Sequence, residues 1–147
     1  MIAQLLEKQT TYRHLVGQLI WAVQGSRPDM AFEMIALSTK LKEGTIGDIS
    51  RAIKVVNQLK DVVSVIMFPR LKKDFLGCKI LVLSDASLGN INNGTGSTGA
   101  HIIWLIDGTG KCCPLAWQAN KIKRLVSSSI AAEALSLQEG LESSYYY

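Results

Sequence analysis

Two acidic side chains stand where carboxylates can do chemistry. Asp85 follows four apolar residues, Ile80 to Leu83, in the stretch K-I-L-V-L-S-D-A-S-L-G-N (79–90). That run is short for a helix and suits a strand buried on both faces. A carboxylate at the end of such a strand is costly unless it is paired, hydrogen-bonded or holding a cation. Asp also caps turns after strands, and for Asp85 taken alone that is the plainer reading. Glu133 lies in S-S-S-I-A-A-E-A-L-S-L (127–137), one to two turns into a segment that reads as a helix. Ser129 and Ser136 beside it are small enough to leave its carboxylate accessible. Lys121, Lys123 and Arg124 form a basic cluster just before that helix, which by itself reads as a solvated loop.

Other residue types carry less. His14 and His101 have no partners at metal-ligating spacing. Cys78, Cys112 and Cys113 are odd in number with two adjacent, which is neither a disulfide framework nor a zinc pattern. Adjacent cysteines in a strand point to opposite faces and do not share a metal. Trp104 and Trp117 fall on neighbouring predicted strands and read as cross-strand packing.

The elements that must position Asp85 and Glu133 follow from hydrophobic periodicity. Residues 12–24 place Tyr12, Leu15, Val16, Leu19, Ile20 and Val23 on one helical stripe, and Gly25 and Ser26 break it. Pro28 starts a second helix carrying Ala31, Met34, Ile35, Leu37 and Leu41 inward, with Gly44 at its end. A third helix, Ile46 to Lys60, turns Ile46, Ile49, Ala52, Ile53, Val56 and Leu59 inward. Val62 to Phe68 is strand-like, stopped by Pro69. The charged segment 70–74 marks a boundary.

Beyond it come the strand at 79–85 and a loop rich in Gly, Asn, Ser and Thr (Leu88 to Gly99). A hairpin follows, made of Ala100–Ile106 and Lys111–Trp117 about the turn D-G-T-G. Ser127–Ser129 cap a last helix with the apolar row Ile130, Ala134, Leu137 and Leu141.

Composition bounds the function classes. Hydrophobic residues make up 48% and charged residues 19% of 147, so a disordered tail is excluded. The net charge of +4 leans towards anionic partners without naming one. The N-terminus lacks the apolar core of a signal peptide, and no run approaches a membrane span. An intracellular setting, cytoplasmic or nuclear and not secreted, is expected, with no membrane partner.

The wording of five motifs goes further. Y-R-H-L-V-G-Q-L-I-W (12–21) with S-R-P-D (26–29), S-D-A-S (84–87), S-T-G-A-H-I-I-W-L (97–105), P-L-A-W-Q-A-N-K-I (114–122) and S-S-S-I-A-A-E-A-L-S-L (127–137) occur in order. Together they resemble the polymerase-to-RNase H junction of copia-type LTR retrotransposon polyproteins. The resemblance implies an α+β chain: an N-terminal amphipathic helical bundle followed by a truncated RNase H-like fold, a three-stranded antiparallel sheet plus one helix. Residues 1–69 would be the end of a reverse transcriptase, its thumb or connection, beside the primer–template. Residues 70–76 would be a linker and 77–147 an incomplete RNase H-like domain.

Asp85 then matches the catalytic Asp of the first strand and Glu133 the catalytic Glu of the first helix. In that family such carboxylates hold two Mg²⁺ ions that cut the RNA of an RNA–DNA hybrid, one activating water and the other stabilising the leaving oxygen. Lys121, Lys123 and Arg124 would lie near the substrate backbone. Ser129 stands where many relatives have Thr. The family's further carboxylates belong to elements expected after residue 147, so two ligands of about four are expected here. The isolated chain is therefore expected to bind Mg²⁺ weakly or not at all and to lack turnover, with the 79–85 strand left as an edge open to self-association. The other class of reading is a non-catalytic nucleic-acid-binding or interaction module, or a relic without function.

Overall fold

The computed structural model describes residues 2–72, 75–91 and 94–147. Lys73 and Asp74 of the expected linker, and Asn92 and Asn93 of the expected loop, lie outside the described residues. The chain divides into two compact units, Met1–Val65 and Ile66–Tyr147.

In the first unit, helix α1 (Ile2–Ser26) is followed by a 3₁₀ turn (Pro28–Met30), α2 (Ala31–Ser38) and α3 (Ile46–Asp61). Tyr12, Val16, Leu19 and Val23 are buried at the expected helical spacing, against Met34 and Leu37 of α2 and Ala52 and Val55 of α3. The Tyr12 hydroxyl donates to the Leu37 carbonyl at 2.7 Å, so the buried phenol is satisfied. Burial also pushes its pKa up, the Asp48 charge adding to the effect. Thr45 and Asp48 close a capping box at the start of α3, each side chain accepting from the other's backbone N–H.

Three expectations for residues up to Phe68 are corrected. The second helix stops at Ser38, not near Gly44. Gly44 instead lets the chain pass the Tyr12 ring, where a Cβ would come within 2.8 Å of Cδ1. In α3 the buried pair is Ala52 and Val55, while Ile46 and Ile53 are exposed. Helical spacing finds a stripe but leaves its centre free by one position, and packing against α1 and α2 sets it. Val62 to Phe68 forms no strand. Val63, Val65, Met67 and Phe68 are exposed, and β-propensity yields a strand only where a neighbour accepts its hydrogen bonds.

The second unit is a three-stranded antiparallel sheet, β1 (Lys79–Ile91), β2 (Gly96–Ile106) and β3 (Cys112–Lys121), in that spatial order, with α4 (Ser129–Ser144) packed on β1 and β2. The expected loop at Leu88–Gly99 is largely strand: β1 runs on to Ile91 and β2 starts at Gly96. Pairing with a neighbour overrides the turn-like composition there, and the Asn90 amide donates to the Thr98 hydroxyl across the pair. β3 likewise extends to Lys121, with a register shift opposite Ile103 and Trp104. Asp107 organises the D-G-T-G turn, accepting from the Thr109 and Lys111 N–H groups and the Thr109 hydroxyl. It also accepts from the Lys72 N–H, and these bonds hold its carboxyl far below the usual carboxylate range.

The 79–85 segment is a strand but is not buried on both faces. Among the described residues β1 has a neighbour only in β2, and α4 covers one face, so Ile80, Leu81 and Leu83 are exposed.

The apolar row expected to seat the last helix is also corrected. Ala132, Ser136 and Gly140 are buried, while Ile130, Leu137 and Leu141 are exposed. Close approach selects the small residues. A Cβ on Gly140 would lie 2.9 Å from Val82 Cγ1 and 3.1 Å from His101 Cβ, and one on Gly99 would lie 2.9 Å from Ser136 Oγ.

Candidate carboxylate site and basic groove

Asp85 sits in β1 opposite Ala100 of β2. Strand alternation places it with Lys79, Leu81 and Leu83, on the face opposite Val82 and Ala86. Glu133 lies in the second turn of α4, whose first turn is capped by the Ser128 hydroxyl accepting from the Ala131 N–H. What joins the two elements is Ser136, 2% exposed and one turn beyond Glu133. Its hydroxyl donates to the Asp85 carbonyl at 2.8 Å, with the Ala100 carbonyl at 3.2 Å. The Asp85 backbone is thus tied to the helix that carries Glu133.

The carboxylates themselves are exposed, and among the described residues neither has a hydrogen-bond or ion-pair partner. They can accept a cation without breaking anything internal. Among the described residues there is no group of three His, Cys, Asp or Glu side chains placed to hold a metal.

Lys121, Lys123 and Arg124 come together with α4. Lys121 ends β3 and Lys123 and Arg124 follow it, and the three line a groove with Gln118, Asn120 and Ile122 on one side and Leu135, Gln138, Glu139 and Glu142 on the other. Ile122 is buried and anchors the segment, and its N–H donates to the Ser97 carbonyl. The Asn120 amide donates to Glu139 at 3.0 Å, holding one wall to the other. Three cations at the rim give the groove a positive lip, with acidic residues on the helix wall opposite. His101 lies under α4 as packing, its pKa lowered by burial and partly restored by the Glu139 charge.

Two features were missed in the sequence. In S-R-P-D, Arg27 is buried and makes a two-pronged pair with Asp29, Nε to Oδ1 at 3.0 Å and Nη2 to Oδ2 at 2.9 Å. Its Nη1 donates to the Leu59 and Val62 carbonyls at the end of α3. The motif is therefore a clamp that caps one helix from the start of another. The second feature is the open face of α1, where Arg13, His14, Gly17, Gln18 and Trp21 line a shallow groove. Trp21 is 82% exposed. A tryptophan off the apolar stripe, one turn after a glycine, is the signal that could have revealed it.

No helix among the described residues is long and apolar enough to cross a membrane. No family model matches the chain, and no solved structure matches it. A transposon Ty5-1 protein of Saccharomyces cerevisiae is 27% identical to it over 135 residues, which is 91% of this chain and 41% of that protein. The chain thus spans well under half the length of the curated relative it matches. This chain is distantly related to a transposon-encoded protein.

Proposed function

We propose that the chain is the reverse transcriptase–RNase H junction of a copia-type retrotransposon Pol polyprotein. Its ancestral reaction is then Mg²⁺-dependent hydrolysis of RNA in an RNA–DNA hybrid. The observation that carries this reading is the order of elements in the second unit. A first strand bearing Asp85 leads an antiparallel meander, and the next helix, bearing Glu133, is bonded back to that strand through Ser136. The relationship to a Ty5-1 protein supports it, Ty5 being a copia-like LTR retrotransposon.

Asp85 and Glu133 are the residues that would hold Mg²⁺, which would supply the activated water and the clamp on the leaving oxygen. They do not fit a two-metal centre. Two exposed carboxylates are too few hard ligands to space and neutralise two divalent cations. For the chain as it stands this favours binding without turnover.

The binding surfaces in this reading are the Lys121–Lys123–Arg124 lip of the groove, for backbone phosphate, and the α1 face. On that face Trp21 offers a stacking plane and Arg13 a charge, although the Arg13 Nε is bonded to the Leu41 carbonyl.

The test is a labelled RNA–DNA hybrid, assayed for binding across a salt series and for cleavage with Mg²⁺ or EDTA. Salt-sensitive binding without cleavage is expected, weakened and made less salt-dependent by joint Ala substitution of Lys121, Lys123 and Arg124. Absence of hybrid binding at low salt overturns the proposal. Cleavage that needs Mg²⁺, Asp85 and Glu133 would show instead that a second chain completes the ligand set.

A further inference from the structure

Asp107 is buried just past β2, and its two carboxylate oxygens serve different parts of the chain. Oδ1 stays within the β2–β3 turn, accepting from the Thr109 hydroxyl at 2.6 Å, the Thr109 N–H at 2.8 Å and the Lys111 N–H at 3.0 Å. Oδ2 leaves the turn and accepts from the Lys72 N–H at 2.9 Å, 35 residues away in sequence. The carboxyl is held far below the usual carboxylate range, so both oxygens are acceptors at ordinary pH.

Lys72 lies in the segment that leads into β1, the strand bearing Asp85. It belongs to the second unit, as Asp107 does. Among the described residues, none from 66 to 71 makes a hydrogen bond, so the Lys72 N–H is where this incoming segment is first held. Gly77, just before β1, approaches the same turn: a Cβ on it would lie 3.9 Å from the Gly108 Cα. The incoming chain therefore meets the turn at two points.

The order of dependence follows from the bonds. Three bonds on Oδ1 fix the carboxylate's torsion and aim Oδ2 at Lys72. If the turn opens, the carboxylate swings free and the part-buried Lys72 N–H loses its acceptor. Losing the Lys72 bond, by contrast, leaves all three turn bonds in place.

We propose that Asp107 is a one-way latch: the β2–β3 turn forms independently, the segment entering β1 docks on it through Oδ2, and opening of the turn releases that segment. An asparagine separates the two duties. Its carbonyl can take the place of Oδ1 in the turn, as Asn commonly does, while its amide presents a donor where the Lys72 N–H needs an acceptor. Gly110 gives the converse variant. Its φ of 84° suits glycine, and Gly110→Val strains the turn without touching the carboxylate.

The experiment is amide hydrogen exchange of the intact chain, read at single residues by NMR. In the wild type the Lys72 amide should exchange more slowly than those of Arg70 and Leu71. Exchange as fast as theirs overturns the proposal without any variant being needed. In Asp107→Asn, Lys72 exchange should rise about tenfold or more, the loss of one bond to a charged group, while Thr109 and Lys111 keep their protection. Unchanged Lys72 exchange overturns the latch, and loss of protection at all three amides overturns the division between the oxygens. In Gly110→Val, exchange should rise at Lys72 as well as at Thr109 and Lys111. A rise confined to the turn overturns the dependence of the segment on it. No nucleic acid or metal enters these measurements, so they do not bear on hybrid binding.

Discussion

Arg27 and Asp29 in the first unit and Asp85 and Glu133 in the second all sit in short motifs, and the fold treats the two sets oppositely. Arg27 is buried, paired through both prongs with Asp29 and bonded to two carbonyls that end α3. The Arg27 guanidinium is thus held by the chain itself, its nitrogens bonded to Asp29 and to two backbone carbonyls. Asp85 and Glu133 stand exposed, without partners among the described residues, on two elements joined by the Ser136 hydrogen bond and by the close packing of Gly140 on Val82. The difference separates polar residues that complete a fold from polar residues that the fold merely presents.

The sharpest way to break the comparison is Arg27→Ala. It strips the end of α3 and leaves Asp29 unpaired. Thermal stability should fall further than with Gly140→Val or either carboxylate substitution, and the loss should be confined to the helical unit. The Arg27 hydrogen bond holds the Asp29 carboxyl below its usual value. The clamp's contribution is therefore fully present above the unfolded carboxylate pKa of about 4. It fades as pH falls through the lower folded value. A melting temperature that ignores Arg27→Ala would make the clamp ornamental.

Gly140→Val comes next. Its Cβ would press on Val82 and His101, lifting α4 from the sheet at a cost of about 1–3 kcal/mol in chemical denaturation. Stability equal to wild type would show that the helix does not need its close approach. The smallest effect is expected from Asp85→Asn and Glu133→Gln, each within about 0.5 kcal/mol of wild type because no internal bond is lost. A loss above about 1 kcal/mol at either position would return that residue to the structural class with Arg27.

Much of the fold was legible because local physics decides it. The α1 stripe from Tyr12 to Val23, the capping of α4 within Ser127–Ser129, and the hairpin turn at Asp107 all follow from periodicity and short-range hydrogen bonds. The order strand, hairpin, helix was equally plain, and with it the positions of Asp85 and Glu133. Where the reading failed, the answer lay in residues far apart in sequence. Val62–Phe68 has β-propensity but no neighbouring strand, and Leu88–Gly99 has loop composition but a pairing partner.

The sequence by itself determined which segments are amphipathic, where the chain turns, and which side chains could carry charge to a ligand, since each depends on neighbours within a few residues. Only the tertiary structure decided which side of each element is covered. It seated α4 on Ala132, Ser136 and Gly140 and left Leu137 and Leu141 outside, because a helix bonded to strand carbonyls through a serine must come too close for larger side chains. It buried Arg27, because the carbonyls it serves lie more than thirty residues away, where no local pattern can announce them.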